Sequence, residues 1–411
     1  MAGKLKVLMS AYACEPGKGS EPGVGWQWAR QMARFHDVTV VTRANNQKCI
    51  EEALAGDSGS QPCFVYYDLP RWLVALKRRG LPVMVYYILW QLAIRWKLRR
   101  RLKEFDLIHH ITFNTFLLPG CWWFCGRPVV LGPLGGGQVF PWRFLPLLRA
   151  QIPQELLRTL RITVDGINPY LYVRFYFASR ILVANADTCR RTPRVFRRKV
   201  VEMLEAGVAA DQIEEPQAAP ARPGLHLVSV GRLARTKGVE LTLRAFGRAW
   251  RQNNAIRLTV IGSGPEEARL RLLAASLGVS GAVEWIGWLA HTEVRQALSR
   301  YDALIFTSLR DTSGNVILEA MACGLPVITL EHQGAAAITT DETAVRVRPT
   351  TIGRTIESLA DGILNLARSP ELRASLGNAG RQRVRNLYSW EAKGEAMSDI
   401  YQGLFPSRMN G

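Results

Sequence analysis

Short apolar runs recur along this chain, each followed by a longer segment whose apolar positions fall at helical spacing. The first run covers residues 5–10 and reads as a strand. A helical pattern follows at 20–35, then a second strand at 38–43, Val-Thr-Val-Val-Thr-Arg. Further strands are expected at 63–67, 106–111, 128–131 and 179–185. Strands alternating with helices predict a parallel, doubly wound sheet, so the class is α/β. A stretch rich in Pro and Ala at 211–224 breaks the pattern and reads as a linker. A second series then begins. Its strands are 225–230, 256–261, 283–286, 303–307 and 327–330, with helices expected at 238–252, 266–277 and 291–299. The pattern therefore predicts two Rossmann-like halves, 1–205 and 225–388, joined by residues 206–224 and followed by a last helix within 389–411.

The densest chemistry lies at Ser308–Thr329. Two carboxylates, Asp311 and Glu319, flank the turn Thr312-Ser313-Gly314-Asn315. A helical run follows and stops at Gly324, with Pro326 just beyond, which are helix stop signals. Asp311 then sits in a loop, and Glu319 lies one to two turns inside a helix. The N–H groups at a helix start have no partners within the helix and favour an anion. A phosphate at that mouth, with a carboxylate on either side to accept hydrogen bonds from hydroxyls, suits a sugar nucleotide.

This segment resembles the donor site of family-4 retaining glycosyltransferases of the GT-B fold. That family carries Glu, seven residues, Glu, then Ala-Met-Ala-Cys-Gly-Leu-Pro-Val or a close variant. Glu319 through Val327 match it, and Asp311 replaces the first Glu. The resemblance extends over nearly the whole chain. It implies two Rossmann-like doubly wound domains facing each other across a cleft, with the helix of 389–411 crossing back onto the N-terminal, acceptor-side domain. The C-terminal domain would hold the donor.

A second motif, Gly231-Arg232-Leu233-Ala-Arg-Thr-Lys237-Gly238, follows a strand and opens a helix. It resembles the family's Gly-Arg-Leu-x-x-x-Lys-Gly. A departing nucleoside diphosphate gains negative charge, and two fixed cations beside it would stabilise that charge. The chain has no Asp-x-Asp triplet, so Arg232 and Lys237 are expected to stand in for a metal ion, with neither metal nor cofactor required. By resemblance, Gly19-Ser20 takes the place of the family's Gly-Gly loop. The family also has His at the end of the fourth strand, where residues 109 and 110 are both His. Neighbouring strand residues face opposite ways, so one of them faces the site, and His110 is favoured. Gly287-Trp288 lies where the family seats the base, with Trp288 either a base contact or core. The loops Gly132–Gln138 and Gly262–Glu266 read as acceptor-side backbone or a turn, and as the family's Gly-x-Gly-Pro-Glu, respectively. The catalytic set implied is His110, Asp311, Arg232 and Lys237. The donor set adds Gly19, Ser20, Gly287, Trp288, Gly314, Asn315 and Glu319.

The expected reaction moves a sugar from a nucleotide, of UDP or GDP type, to an acceptor hydroxyl with retention, in bacterial cell-surface polysaccharide or glycolipid synthesis. A GT-B epimerase or phosphorylase is the alternative. Charge adds one more expectation. Residues 1–200 hold 30 Lys and Arg against 12 Asp and Glu, whereas 201–411 hold 23 against 22. An anionic partner for the first half follows: a membrane surface, or a lipid-linked acceptor there. Nucleic acid is disfavoured, because no helix-turn-helix, zinc finger or aromatic–basic strand pattern is present. The run 81–103, apolar and then basic, is either a surface-lying membrane helix or a buried one. Seven scattered cysteines, with only Cys121 and Cys125 close, predict reduced thiols and a cytoplasmic protein, peripheral on the inner membrane face at most. Residues 4–10 are too short an apolar run for a secretory signal.

Overall fold

The computed structural model describes residues 3–56, 59–113, 115, 120–166, 168–213 and 223–406; the side chains of Ser20 and Asp165 lie outside that description. Two parallel sheets organise the chain. The first has strands β1 Lys6–Ser10, β2 Asp37–Thr42, β3 Cys63–Tyr66, β4 Leu107–His110, β5 Val129–Leu134, β6 Arg180–Val183 and β7 Val200–Glu202, in the order β3-β2-β1-β4-β5-β6-β7. The second has β8 His226–Val230, β9 Arg257–Ile261, β10 Val283–Gly287, β11 Ala303–Phe306, β12 Val327–Leu330 and β13 Ala344–Val347, in the order β10-β9-β8-β11-β12-β13. Each sheet is parallel and Rossmann-like in its strand order.

The central strands read as continuous apolar runs because helices cover both faces of a parallel sheet. Every residue of β4, β11 and β12 is buried. In each sheet the strand order reverses at one place: between β1 and β4, and between β8 and β11. Loops leaving the carboxyl ends of strands at such a switch point diverge and leave room for a ligand. The loops after β1, β8 and β11 carry Gly19, Arg232 with Lys237, and Asp311, and His110 is the last residue of β4.

Two edge strands escape the sequence pattern. β7 is only three residues long, and β13 interleaves Arg346 between valines. Short or charged strands are common at sheet edges, where only one neighbour must be satisfied.

The chain divides into two compact units. The first takes residues 1–137, 161–206 and 390–411, and the second 138–160 and 207–389. Residues 138–160 thus group with the second sheet, where the expected 1–205 block had placed them with the first. The reason is packing. Phe140, Phe144 and Leu148 are buried in the same apolar cluster as Leu227, Phe246 and Ile305. The stretch is further tied by Arg235 Nη1 donating to Leu147 O at 3.0 Å and by the Arg310–Glu155 ion pair.

The helix Trp390–Gln402 groups with the first unit. Trp390 meets Trp28 edge-on at 5.4 Å, and Ser398 Oγ lies 3.1 Å from His36 Nε2. Lys393, fully buried, donates to Leu204 O. Residues 207–213 belong to the second unit, and 214–222 of the expected linker lie outside the described residues. No helix among the described residues is long and apolar enough to cross a membrane.

Candidate functional site

In the second unit, two loops at the switch point are sewn together. Gly238 has φ +66°, and a Cβ there would fall 2.1 Å from Thr307 O. Only Gly allows that approach. Thr307 Oγ1 returns a bond to Gly238 O at 2.9 Å. Leu309 N and Arg310 N both donate to Thr236 O, at 2.9 and 3.2 Å. The loop after β8 is therefore fixed against the loop after β11. The Gly262–Glu266 loop packs on the same turn, with Leu233 N donating to Ser263 O at 2.9 Å and Glu266 N to Leu233 O at 3.1 Å.

This arrangement brings Lys237 to Asp311, with Nζ 2.5 Å from Oδ2. The other carboxylate oxygen of Asp311 accepts from Gly314 N at 3.3 Å. Gly314, at φ +61°, precedes the helix Asn315–Ala322. Asp311, Lys237 and a helix start with orphan N–H groups thus form one cluster. Within it, Asn315 Oδ1 is buried and has no hydrogen-bond partner among the described residues. Arg232 is exposed beside this cluster in sequence, whereas Arg235 is committed inward, 3.1 Å from Glu266.

Glu319, one turn into the helix, has a carboxylate with 14 % exposure, and its Oε1 lies 3.0 Å from His291 Nε2. That bond raises the His291 pKa above its usual value, against a smaller opposing effect of burial. Sequence reasoning gave His291 no role. It starts the helix His291–Leu298, four residues past Gly287, and its partner is distant in sequence. Trp288 is 73 % exposed, so it is not core. Gly287, at φ +82°, accepts from Gly262 N at 2.6 Å.

Gln333 was also missed. Its Oε1 accepts from Asp311 N at 2.8 Å, and its Nε2 donates to Val139 O at 2.9 Å. It holds an unusual φ of +51° directly before Gly334, whose Cβ would lie 2.4 Å from Thr312 O. A Gln-Gly pair opening the helix Gln333–Ile338 after β12 was the available signal. A strained backbone at a helix start points to a constrained site.

The first unit is described by itself. His109 and His110 are both fully buried. His109 is held between the Tyr401 hydroxyl and, at 2.8 Å, Gly132 O. His110 Nε2 meets the Tyr87 hydroxyl at 2.8 Å. Burial pushes the pKa of His109 down to about 4 and that of His110 well below its usual value. Gly19 caps the helix Ser20–Ala33 in extended backbone, and the side chain of Ser20 lies outside the described residues. The close backbone approach is made instead by Gly23 and Gly25, where a Cβ would fall 1.9 Å from Lys18 O and 2.1 Å from Ala13 O.

Comparison with known proteins agrees with this geometry. Residues 212–383 match the family described as Glycosyl transferases group 1. A GDP-mannose-dependent monoacylated alpha-(1-6)-phosphatidylinositol monomannoside mannosyltransferase of Corynebacterium glutamicum is 32% identical over 180 residues, covering 42% of this chain and 45% of that protein. A glycogen synthase of Mycobacterium tuberculosis is 30% identical over 187 residues, covering 45% and 43%. The chain thus spans less than half the length of these two curated relatives. Over nearly the full length, the crystal structure of Anabaena HepE in complex with UDP superposes with TM-score 0.62 at 14% identity, covering 97% of this chain and 100% of that one. Sucrose-phosphate synthase from Thermosynechococcus elongatus gives TM-score 0.63 at 19% identity, covering 98% and 100%. At those identities the structures speak for the fold alone. The chain has the two-domain Rossmann-like fold of these structures, and its residues 212–383 match the group 1 glycosyl transferases.

Proposed function

We propose that this protein transfers a sugar from a nucleotide donor to an acceptor hydroxyl with retention of anomeric configuration, in polysaccharide or glycolipid synthesis. The observation that carries the reading is the Lys237–Asp311 pair set against the start of the helix Asn315–Ala322, with Glu319 a turn further on. Cation, helix mouth and two carboxylates are what a nucleoside diphosphate sugar requires. The names of the relatives support it: one is GDP-mannose-dependent, and a Rhizobium meliloti relative is a lipopolysaccharide core biosynthesis glycosyltransferase. HepE was crystallised with UDP.

In this reading Arg232 and Lys237 neutralise the diphosphate as it departs, with no metal ion needed. Glu319 takes the ribose hydroxyls, which requires His291 to yield or share the carboxylate. Asp311 and the amides near Gly314 and Asn315 hold the sugar, and exposed Trp288 stacks on the base. The bond from the anomeric carbon to the diphosphate oxygen breaks. The acceptor oxygen bonds to the same face, and its proton passes to the departing phosphate.

The test is a thermal-shift panel of UDP, GDP and their sugars, because a ligand that binds only the folded state stabilises it by mass action. One nucleoside diphosphate and one of its sugars should raise the melting temperature in the wild type, and Lys237→Ala should abolish the shift. A donor isomerised without acceptor would point to an epimerase instead. No shift with any member would remove the donor reading.

A further inference from the structure

We infer that the helical hairpin 71–98 of the first unit is a docking surface for an anionic lipid bilayer, lying on it rather than crossing it. The helix Val83–Leu98 is apolar on two sides. Tyr86, Tyr87, Trp90, Ile94 and Leu98 are buried in the core of the first sheet. Val85, Leu89, Leu92 and Trp96 are exposed instead, Trp96 at 69 %. Their spacing advances by four, three and four residues, so they line one straight stripe, roughly 16 Å long at the rise of an α-helix. Val83 and Met84 widen it at one end, and Trp72 and Leu76 of the helix Arg71–Arg78 are exposed on the preceding segment. A helix apolar all round is expected only where both faces are covered. A contiguous apolar patch of this kind marks an interaction surface.

The choice of occupant rests on charge. Between Leu69 and Lys103 there are ten Lys and Arg and no acid. Arg71, Arg78, Arg79, Arg99 and Arg100 are exposed at the ends of the two helices. The Arg99 guanidinium stands 4.5 Å over the Trp96 ring, which sets a cation beside an indole. Lys77 is not part of this set; it turns inward to the Tyr12 hydroxyl at 3.1 Å. Exposed tryptophans with basic residues beside an apolar stripe fit the boundary between headgroups and acyl chains. A second copy of this chain would bring the same cations face to face, which opposes pairing. A bilayer of anionic lipid satisfies both the stripe and its rim. Spanning is excluded for this segment, because no described helix has the length and apolarity.

The inference does not depend on glycosyl transfer, and its test is separate. Purified full-length protein is mixed at low salt with vesicles of phosphatidylcholine alone, or of phosphatidylcholine with phosphatidylglycerol, and sedimented. The wild type should sediment with the anionic vesicles only, and less so at high salt, where the attraction is screened. Changing Leu89, Leu92 and Trp96 together to Ser should weaken that binding by about tenfold or more through lost apolar burial. The variants should stay folded and keep any thermal shift with UDP or GDP seen in the wild type, because the three side chains are 37–69 % exposed. A milder variant, Trp96→Ser alone, should weaken binding in the same direction and guards against misfolding of the triple variant. The inference is overturned if the wild type ignores anionic vesicles at low salt, or if folded serine variants bind them as tightly. It is equally overturned if the wild type is a dimer without vesicles that the serine variants dissolve.

Discussion

Lys237 and Asp311 are 74 positions apart, yet the lysine ammonium lies 2.5 Å from the carboxylate. In the proposed reading each is a partner the other would give up, or share, on binding a nucleotide sugar: a diphosphate would offer Lys237 more negative charge than one carboxylate, and sugar hydroxyls would offer Asp311 donors. The pair therefore holds the loop after β11 in place before the ligand binds.

The two members should fail differently. Lys237→Ala should lower turnover by about 10²-fold, as losses of a preorganised charge stabiliser do. Asp311→Asn should weaken the sugar nucleotide more than the bare nucleoside diphosphate, measured by titration calorimetry. Equal losses for both ligands would contradict a sugar role for Asp311. Turnover should persist in EDTA, and its loss there, restored by Mg²⁺ or Mn²⁺, would overturn the metal-free mechanism.

His291 should titrate above its ordinary value of 6.5, because the Glu319 carboxylate favours the imidazolium. Its stabilising contribution is then fully present below 6.5 and is lost as pH rises through the higher folded pKa. An NMR titration of the His291 ring checks this. In Glu319→Gln the pKa should fall back toward 6.5; an unchanged value would show that the bond to Glu319 is not the cause.

Gly238→Ala should damage the site from a distance of one residue. The new Cβ would sit 2.1 Å from Thr307 O, on a backbone at φ +66°. The loop must shift and carry Lys237 with it. A cost of about 1–3 kcal/mol in urea unfolding is expected for such strain, with turnover lowered as well. Gly281→Ala, in open space at an ordinary φ, should stay within about 0.5 kcal/mol of the wild type. If Gly238→Ala is as mild as Gly281→Ala, the sewn-loop geometry is wrong.

Lys393 anchors the helix Trp390–Gln402 at a cost. Burial lowers its pKa from 10.5 to about 7, with Glu205 opposing only in part. The unfolded chain binds the extra proton between those two values, so this group adds stability as pH rises from 7 toward 10.5 and penalises the folded state below 7. Lys393→Met, which keeps the length without the charge, should raise the melting temperature most below pH 7, with the gain shrinking at alkaline pH. A gain independent of pH would mean that the ammonium is not desolvated.

The periods of 2 and 3.6 residues and the local stop signals were enough for two αβ series, the helix that holds Glu319 and stops at Gly324, and the loops holding Arg232, Lys237 and Asp311. Those signals are local because strand pleat, helix pitch and capping act within a few residues. The membership of residues 138–160 could not be read in this way. Phe140, Phe144 and Leu148 are apolar in any core, and only the packed structure decides which sheet they cover. The same holds for pairs distant in sequence. His291 with Glu319, Gln333 with Asp311, and His109 with Tyr401 across 292 positions are each set by how the elements pack. The expected choice between His109 and His110 assumed that one ring would be open, whereas burial closes both. The run 81–103 was open to two readings, buried or surface-lying. The helix it forms turns one apolar face to the core and another to solvent, a division that apolar residues all round a helix cannot announce.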